Sequence, residues 1–257
     1  MTVSPVFRRL SHLPQLITRA TDVLMEHGPS PLIRWAVWRL QGKPGYPPMQ
    51  LAYDYCIGSG IEFGAASYND FKLPHSRNVA PFSDDPTHPD YNDFLVYKAE
   101  QMKQAGYYAT IDLVGDAQAV PVEDASQDYI LSSHVVEHLP DLISAFVEWN
   151  RVLKPDGIIF MIFPKRNALA NDATRPITPV EHFVEDYRLK QNADTHAVPE
   201  GDRVRGHYHV FTLESMLALI KWCNEHINLS WEVVKVERTD SKVGNGHTVV
   251  CRYKPVH

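Results

Sequence analysis

From about Tyr53 onward the chain alternates short apolar runs with amphipathic stretches, and few architectures accept that alternation. Gly60 to Phe63, Asn78 to Val79, Ala109 to Val114, Tyr129 to Ser133 and Ile158 to Phe163 have the length and apolar character of buried strands. Between them, Tyr91 to Gln104 and Leu142 to Leu153 carry helical spacing. The second helix puts Leu142, Phe146, Trp149 and Leu153 on one face and stops at Lys154-Pro155-Asp156-Gly157. This order predicts an α/β fold with a doubly wound, mostly parallel sheet covered by helices on both faces. Trp231 to Arg238 and Thr248 to Tyr253 flank Lys242-Val243-Gly244-Asn245-Gly246, which predicts a closing antiparallel hairpin.

Two further segments stand apart from this pattern. The first 50 residues read as a helical cap on a main domain at 51–257. Leu13, Leu16, Ile17, Ala20, Val23 and Leu24 have helical spacing, His27-Gly28-Pro29 forms a break, and a second helix spans Leu32 to Leu40. Trp35 and Trp38 interleave with Arg34 and Arg39, and packing on the main domain or on a second copy of the chain explains them better than a membrane surface. The other segment, at about 165–211, is polar, contains Pro176, Pro179 and Pro199, and shows helical character only from Val180 to Lys190. An insert of this length in a compact domain reads as a lid.

Charge and composition narrow the function classes. The net charge is −6, and residues 1–43 carry +4, with Arg8, Arg9, Arg19, Arg34, Arg39 and Lys43 against Asp22 and Glu26. The remainder is therefore acidic, which argues against a nucleic-acid backbone as partner. No apolar run approaches the roughly 18–20 residues of a membrane helix. The N-terminus lacks a signal-peptide pattern, so the cytoplasm is the expected location. Cys56, Cys223 and Cys251 are far apart and read as buried thiols.

Ligands of such sheets sit beyond the carboxyl ends of the strands. The relevant stretches are Gly60-Ile61-Glu62-Phe63-Gly64-Ala65-Ala66-Ser67 and Val114-Gly115-Asp116-Ala117-Gln118-Ala119-Val120-Pro121. Then come Asp128-Tyr129-Ile130-Leu131-Ser132-Ser133-His134-Val135-Val136-Glu137-His138-Leu139 and Trp149-Asn150-Arg151-Val152-Leu153-Lys154-Pro155-Asp156-Gly157.

From about Gly60 to Pro164 these blocks resemble class I S-adenosylmethionine-dependent methyltransferases of the type 11 group. Members of that group read roughly G-D-A-x-x-L-P, then F-D-x-V-x-S-x-x-x-x-H, then R-V-L-K-P-G-G. The resemblance implies a Rossmann-like sheet of seven strands and S-adenosylmethionine as cofactor. It implies that Glu62, Gly64 and Ala65 wrap the methionine end, that Asp116 accepts from the adenine amino group with Ala117 beside it, and that Ser133 lines the same cavity. A narrower resemblance, through Ser132 to His138, Glu148-Trp149 and Arg175-Pro176-Ile177-Thr178, is to bacterial methyltransferases of cell-surface glycan biosynthesis. The family usually carries an acid at the end of the second strand for the ribose; here that position is Ala80, with Asp84 and Asp85 nearby. Asp112 reads as structural.

Methyl transfer needs an aligned acceptor, and a hydroxyl acceptor also needs a base, a role suited to histidine. His134, directly after the fourth strand, is the first candidate base, with a helix cap as its alternative role. His138, four residues on, would share its face in a helix. In the lid, His182, His207, His209, Arg175 and Tyr208 are candidate acceptor contacts. His207-x-His209 on an extended segment would project both rings to one side. His182, His196, His207 and His209 also raise a metal reading, which Glu181, Asp186 and Asp202 could complete as an oxygen-rich magnesium site, but nothing fixes their spacing and no metal is assigned. The expected function is methyl transfer to a small molecule, a sugar or glycan-precursor hydroxyl. The alternative is a noncatalytic module that keeps the fold and binds cofactor weakly.

Overall fold

The computed structural model describes residues 13–67, 70–197 and 206–255. Arg8, Arg9, Pro199 and Asp202, named above, lie outside them. The strands are β1 (Gly60–Phe63), β2 (Ser76–Ala80), β3 (Leu113–Val114), β4 (Gln127–Ser133), β5 (Leu153–Pro164), β6 (Trp231–Glu237) and β7 (Gly246–Tyr253). They form one sheet in the order β3-β2-β1-β4-β5-β7-β6. The pairs from β3 to β5 are parallel, and β7 runs antiparallel to both β5 and β6. The strand order reverses between β1 and β4, and the region beyond the carboxyl ends of such a switch point is where open α/β sheets bind ligands.

The helices are α1 (Leu13–His27), α2 (Ser30–Leu40), α3 (Gln50–Tyr55), α4 (Tyr91–Ala105), α5 (Leu142–Val152), α6 (Ala170–Thr174), α7 (Val180–Leu189) and α8 (Leu213–His226). None is long and apolar enough to cross a membrane. One sheet face packs Ile61, Phe63 and Ile130 against Phe146 and Trp149 of α5 and Leu219 of α8. Trp149 stacks on Phe63 at 5.6 Å, and its indole N–H donates to the Ala117 carbonyl at 3.0 Å, which ties the β3 turn to α5. The other face is covered by Met49 and Ala52, beside and within α3, and by Phe71 and Leu73 from the β1–β2 connection. That connection has no helix among its described residues, so its apolar side chains cover the sheet directly.

The strand expected over Ala109 to Val114 shortens to Leu113–Val114. The Asn78 N–H donates to the Asp112 carboxylate at 2.7 Å and its side-chain amide donates to the Thr110 carbonyl at 2.7 Å, so side chains replace ladder bonds there. Asp112 is structural in this sense. The insert carries α6 in addition to α7, and the hairpin forms as expected.

The N-terminal helices pack beside the β6–β7 connection. Glu26 accepts from the Arg238 and Thr239 N–H groups at 2.6 and 2.7 Å, and Lys165 bridges Asp22 and Thr239 at 2.8 Å each. Gly244 needs its missing side chain here, since a Cβ would lie 2.9 Å from Val23 Cγ2 and the residue has φ +83°. The β5 end, where Lys165 lies, is thereby held under the helical segment.

Candidate active site

The β1 turn is closed by sterics. Gly64 has φ +78°, and a Cβ there would lie 2.5 Å from the Ser133 carbonyl and 2.6 Å from Val135 Cγ2. Only glycine lets this turn approach the end of β4 so closely. Ala65, Ala66, Ser67 and Ser133 are buried. Several polar groups of the turn are already paired: the Ala65 carbonyl accepts from Tyr97 at 3.1 Å, the Ser67 N–H donates to Gln101 at 2.5 Å, and the Ser67 carbonyl accepts from Tyr107 at 2.5 Å.

Glu62 is buried on the opposite side of β1 from Phe63. Burial foremost, then Asp70, pushes its carboxyl up to about 8, against the pull of Lys242 and a bond from the Phe71 N–H. Lys242, itself buried, is drawn down to about 8 by desolvation and donates to the Asp70 carbonyl at 2.9 Å.

At the next two strand ends, the Gly115 N–H donates to the Ala80 carbonyl at 2.9 Å. Asp116 is exposed and accepts from the Gln118 N–H at 2.8 Å, which sets the turn. The buried Ala117 uses its carbonyl on Trp149. Asp85 is committed to its own turn, accepting from the Thr87 N–H and hydroxyl at 2.8 Å each.

S-adenosylmethionine presents an amino-acid end, a ribose and an adenine. Glu62 Oε1, Ser67 Oγ and Ser132 Oγ are buried at the β1 and β4 ends and have no hydrogen-bond partner among the described residues. Such orphaned groups are costly unless a ligand or water meets them. The exposed Asp116 carboxylate suits an exocyclic amine. The donor set therefore fits the amino-acid and adenine ends, while Ala80 supplies no carboxylate for the ribose diol.

The end of β4 carries a histidine cluster around one buried carboxylate. His134 follows β4, donates its N–H to the Ile162 carbonyl at 2.8 Å and has φ +54°, a left-handed conformation uncommon outside glycine. Such strain at a strand end is typical of functional positions. Its Nδ1 lies 3.5 Å from Glu137 Oε1, and Glu137 is 1% exposed. Burial pulls the His134 pKa down, but the Glu137 hydrogen bond and charge outweigh it and, with Asp240, leave it raised. Burial likewise opposes the charged form of Glu137, yet His134, His138 and His207 hold its pKa below the ordinary value.

The segment after His134 is a single 3₁₀ turn, Val136–His138, rather than an α-helix. His134 is not its N-cap, which is Val135, and His134 and His138 do not stack on one helical face. Instead both reach the same carboxylate, His138 Nε2 at 3.9 Å from Glu137 Oε1. His138 Nδ1 donates to the Gly206 carbonyl at 3.2 Å, and its ring packs edge-on to His207 at 4.6 Å. His207 Nδ1 is 2.8 Å from Asp172 Oδ2, Asp172 Oδ1 accepts from Arg175 at 3.1 Å, and Arg175 also donates to the Tyr208 carbonyl at 3.0 Å. The Tyr208 N–H in turn donates to the Glu137 carbonyl at 2.8 Å.

His182 and His209 do not join His207. They meet Asp186 and His196 in a separate cluster, and His209 is fully buried with Nε2 donating to the Leu139 carbonyl at 3.0 Å. The expectation that the His207 and His209 rings project to one side is thus corrected: the backbone between them is held by Glu137, and the rings enter different clusters. Sequence reasoning gave no role to Glu137 or Asp172. Glu137 had a signal, since it lies three residues after His134 and next to His138. Asp172 had none, being 35 residues from its partner His207.

The family model described as a methyltransferase domain matches residues 82–161, which span Asp116, His134 and Glu137 but not the β1 turn. A demethylmenaquinone methyltransferase of Staphylococcus aureus (strain JH9) is 30% identical over 139 residues, covering 54% of this chain and 48% of the relative. The protein of that name from strain Newman gives the same figures. The chain thus spans about half the length of the curated relatives it matches. Among solved structures, a protein of Pyrococcus horikoshii OT3 is similar at 18% identity and a TM-score of 0.47, over 80% of this chain and 87% of that one. A SAM-dependent methyltransferase from Methanosarcina mazei is similar at 15% identity and 0.45, over 80% and 98%. Residues 82–161, which hold the Asp116 turn after β3 and the end of β4, thus match the methyltransferase-domain family, on a sheet of order β3-β2-β1-β4-β5-β7-β6.

Proposed function

We propose that the protein transfers the methyl group of S-adenosylmethionine to a hydroxyl of a small molecule, a sugar or glycan precursor, with His134 as the base. The observation that carries this reading is the buried Glu137 carboxylate 3.5 Å from His134 Nδ1 at the end of β4. A carboxylate on Nδ1 favours the tautomer with its proton there, which leaves Nε2 free to take the acceptor's proton. The raised His134 pKa makes it a better proton acceptor near neutral pH. When bound, the cofactor supplies a methyl carbon carried by a sulfonium. The chain's part is to hold it with Glu62, the Gly64–Ser67 turn, Ser133 and Asp116, and to align the acceptor, since orientation accounts for several kcal/mol of barrier.

In this reading residues 51–257 are the catalytic domain, 1–50 its cap and 165–211 its lid, with Arg175, His207 and Tyr208 nearest the acceptor. His138 orients Glu137 and His207. The relatives' name points to demethylmenaquinone, so the test offers both acceptor classes. Labelled S-adenosylmethionine is incubated with sugar nucleotides, glycan precursors and demethylmenaquinone, using wild type and His134→Ala. Label in a sugar, reduced about 100-fold or more in His134→Ala, supports the reading. Label only in demethylmenaquinone, or an unchanged rate in the variant, overturns it.

A second reading, a noncatalytic module of the same fold, is favoured by one set of contacts. Tyr97, Gln101 and Tyr107 already occupy polar groups of the β1 turn, and Ala80 offers nothing to a ribose. It predicts no methyl transfer to any acceptor.

A further inference from the structure

Apart from the methyl-transfer site, the insert holds a compact set of nitrogen and oxygen donors. Helix α7 presents His182 and Asp186 one turn apart, and the turn at Asn192 carries His196 back to them. That turn is set by Asn192 Oδ1, which accepts from the Asp194 and Thr195 N–H groups at 2.9 and 3.1 Å, and by the His196 N–H donating to the Asn192 carbonyl at 2.9 Å. His182 Nε2 and His196 Nε2 then face each other at 3.2 Å. Each lies 3.4 Å from a different oxygen of Asp186: Oδ2 for His182 and Oδ1 for His196.

The separation of the two ring nitrogens, with one Asp186 oxygen facing each of them, matches one geometry. Nitrogen and oxygen ligands at about 2.0–2.1 Å from a tetrahedral ion stand about 3.3 Å from one another. The other carboxylate–histidine group, Glu137 with His138 and His207, is looser, at 3.9 Å for its Glu137–His138 contact.

The protonation pattern also suits an ion. His196 Nδ1 is 3.0 Å from the Ala197 carbonyl. A carbonyl only accepts, so the proton sits on Nδ1 and Nε2 presents a lone pair; backbone carbonyls commonly orient metal-bound histidines in this way. Asp186 Oδ2 is buried and has no hydrogen-bond partner among the described residues. His209 stands beside the cluster, its Nε2 4.0 Å from Asp186 Oδ2 and committed to Leu139. The His182 side chain is 42% exposed, which leaves a way in from solvent.

We propose that His182, Asp186 and His196 bind one divalent transition-metal ion of the zinc class, with the fourth position left to water. Two imidazole nitrogens disfavour magnesium and calcium, which take oxygen shells. The ion would tie α7 to the Asn192–His196 turn and so fix the half of the insert next to His209. Because the Tyr208 and His209 N–H groups reach the Glu137 carbonyl at 2.8 and 3.4 Å, that tie would steady the backbone beside the acceptor cluster.

The test uses tag-free full-length protein, stripped with a chelator and titrated with Zn²⁺ against a chromophoric competitor. Wild type should take up one equivalent of Zn²⁺, unaffected by excess Mg²⁺, and the Co²⁺ form should show the intense visible bands of a tetrahedral site. His182→Gln, at an exposed side chain, and Asp186→Asn should weaken binding by more than the about 10–100-fold lost with an outer-shell partner, with circular dichroism unchanged. His138→Gln should keep the full equivalent. Failure of wild type to bind Zn²⁺, binding that survives both His182→Gln and Asp186→Asn, or loss confined to His138→Gln would overturn the assignment.

Discussion

Replacing Glu137 by glutamine keeps the shape of the side chain and removes its charge, which isolates the contact on which the base assignment rests. Two unit charges at 3.5 Å attract by about 5 kcal/mol at an effective dielectric near 20. Desolvation of the fully buried carboxylate cancels much of this, leaving the roughly 1.5–3 kcal/mol of a hydrogen bond to a charged group. At about 2–4 °C per kcal/mol for a chain of this size, Glu137→Gln should lower Tm by roughly 3–12 °C, and the loss should depend on pH.

His134 has a raised pKa, so its share of the stabilisation is complete below its ordinary 6.5 and is lost as pH rises through the folded value. Glu137 has a lowered pKa, so its share is present above its ordinary 4.5 and is lost as pH falls through the folded value. The gap between wild type and variant should therefore be widest between about pH 4.5 and 6.5 and narrow on both sides. Melts across pH 3 to 9 measure the gap, and NMR titration of the His134 ring should show a lower pKa in the variant. A gap that is flat with pH, or a His134 titration that does not move, would refute the pairing.

Four other variants probe the cofactor side. Asp116→Ala should weaken S-adenosylmethionine binding by about 10–150-fold, the equivalent of roughly 1.5–3 kcal/mol, with the fold intact by circular dichroism; an unchanged Kd would move the adenine elsewhere. Gly64→Ala should destabilise by about 2 kcal/mol or more, because it adds both a strained φ and a Cβ 2.5 Å from the Ser133 carbonyl; a wild-type denaturant midpoint would show that the turn yields. Ala80→Asp should tighten cofactor binding, whereas the paired Asp84→Asn, Asp85→Asn should change it little, since Asp85 is bound to Thr87; calorimetry on both separates a real ribose deficit from substitution by those aspartates.

The parallel sheet was legible because its strands are apolar on both faces. β1 falls at Gly60–Phe63 as read from sequence, and β4 and β5 extend the expected runs by a few residues at their ends. The edge strand β3 was not, because Asn78, Thr110 and Asp112 exchange side-chain bonds that no periodicity records. Helix α8 follows a legible start signal, Thr212 with Ser215 in a reciprocal capping box, yet the alternation that revealed the sheet gave it no place. His134 was singled out by its position after a strand. Its electrostatic partner Glu137 is local, three residues on, but the Arg175–Asp172–His207 contacts depend on the insert folding back onto the β4 end, a tertiary fact. The same holds for the divergence of His207 and His209: extended spacing fixes alternation, but the carbonyl of Glu137 and the buried Asp186 decide which way each ring goes.

The central claim, that these strand ends form a working cofactor site despite Ala80 and the crowded β1 turn, is tested most directly by calorimetric titration of the full chain with S-adenosylmethionine. One equivalent should bind, and Asp116→Ala should weaken it. No heat of binding at millimolar cofactor, or binding indifferent to Asp116, would contradict the claim.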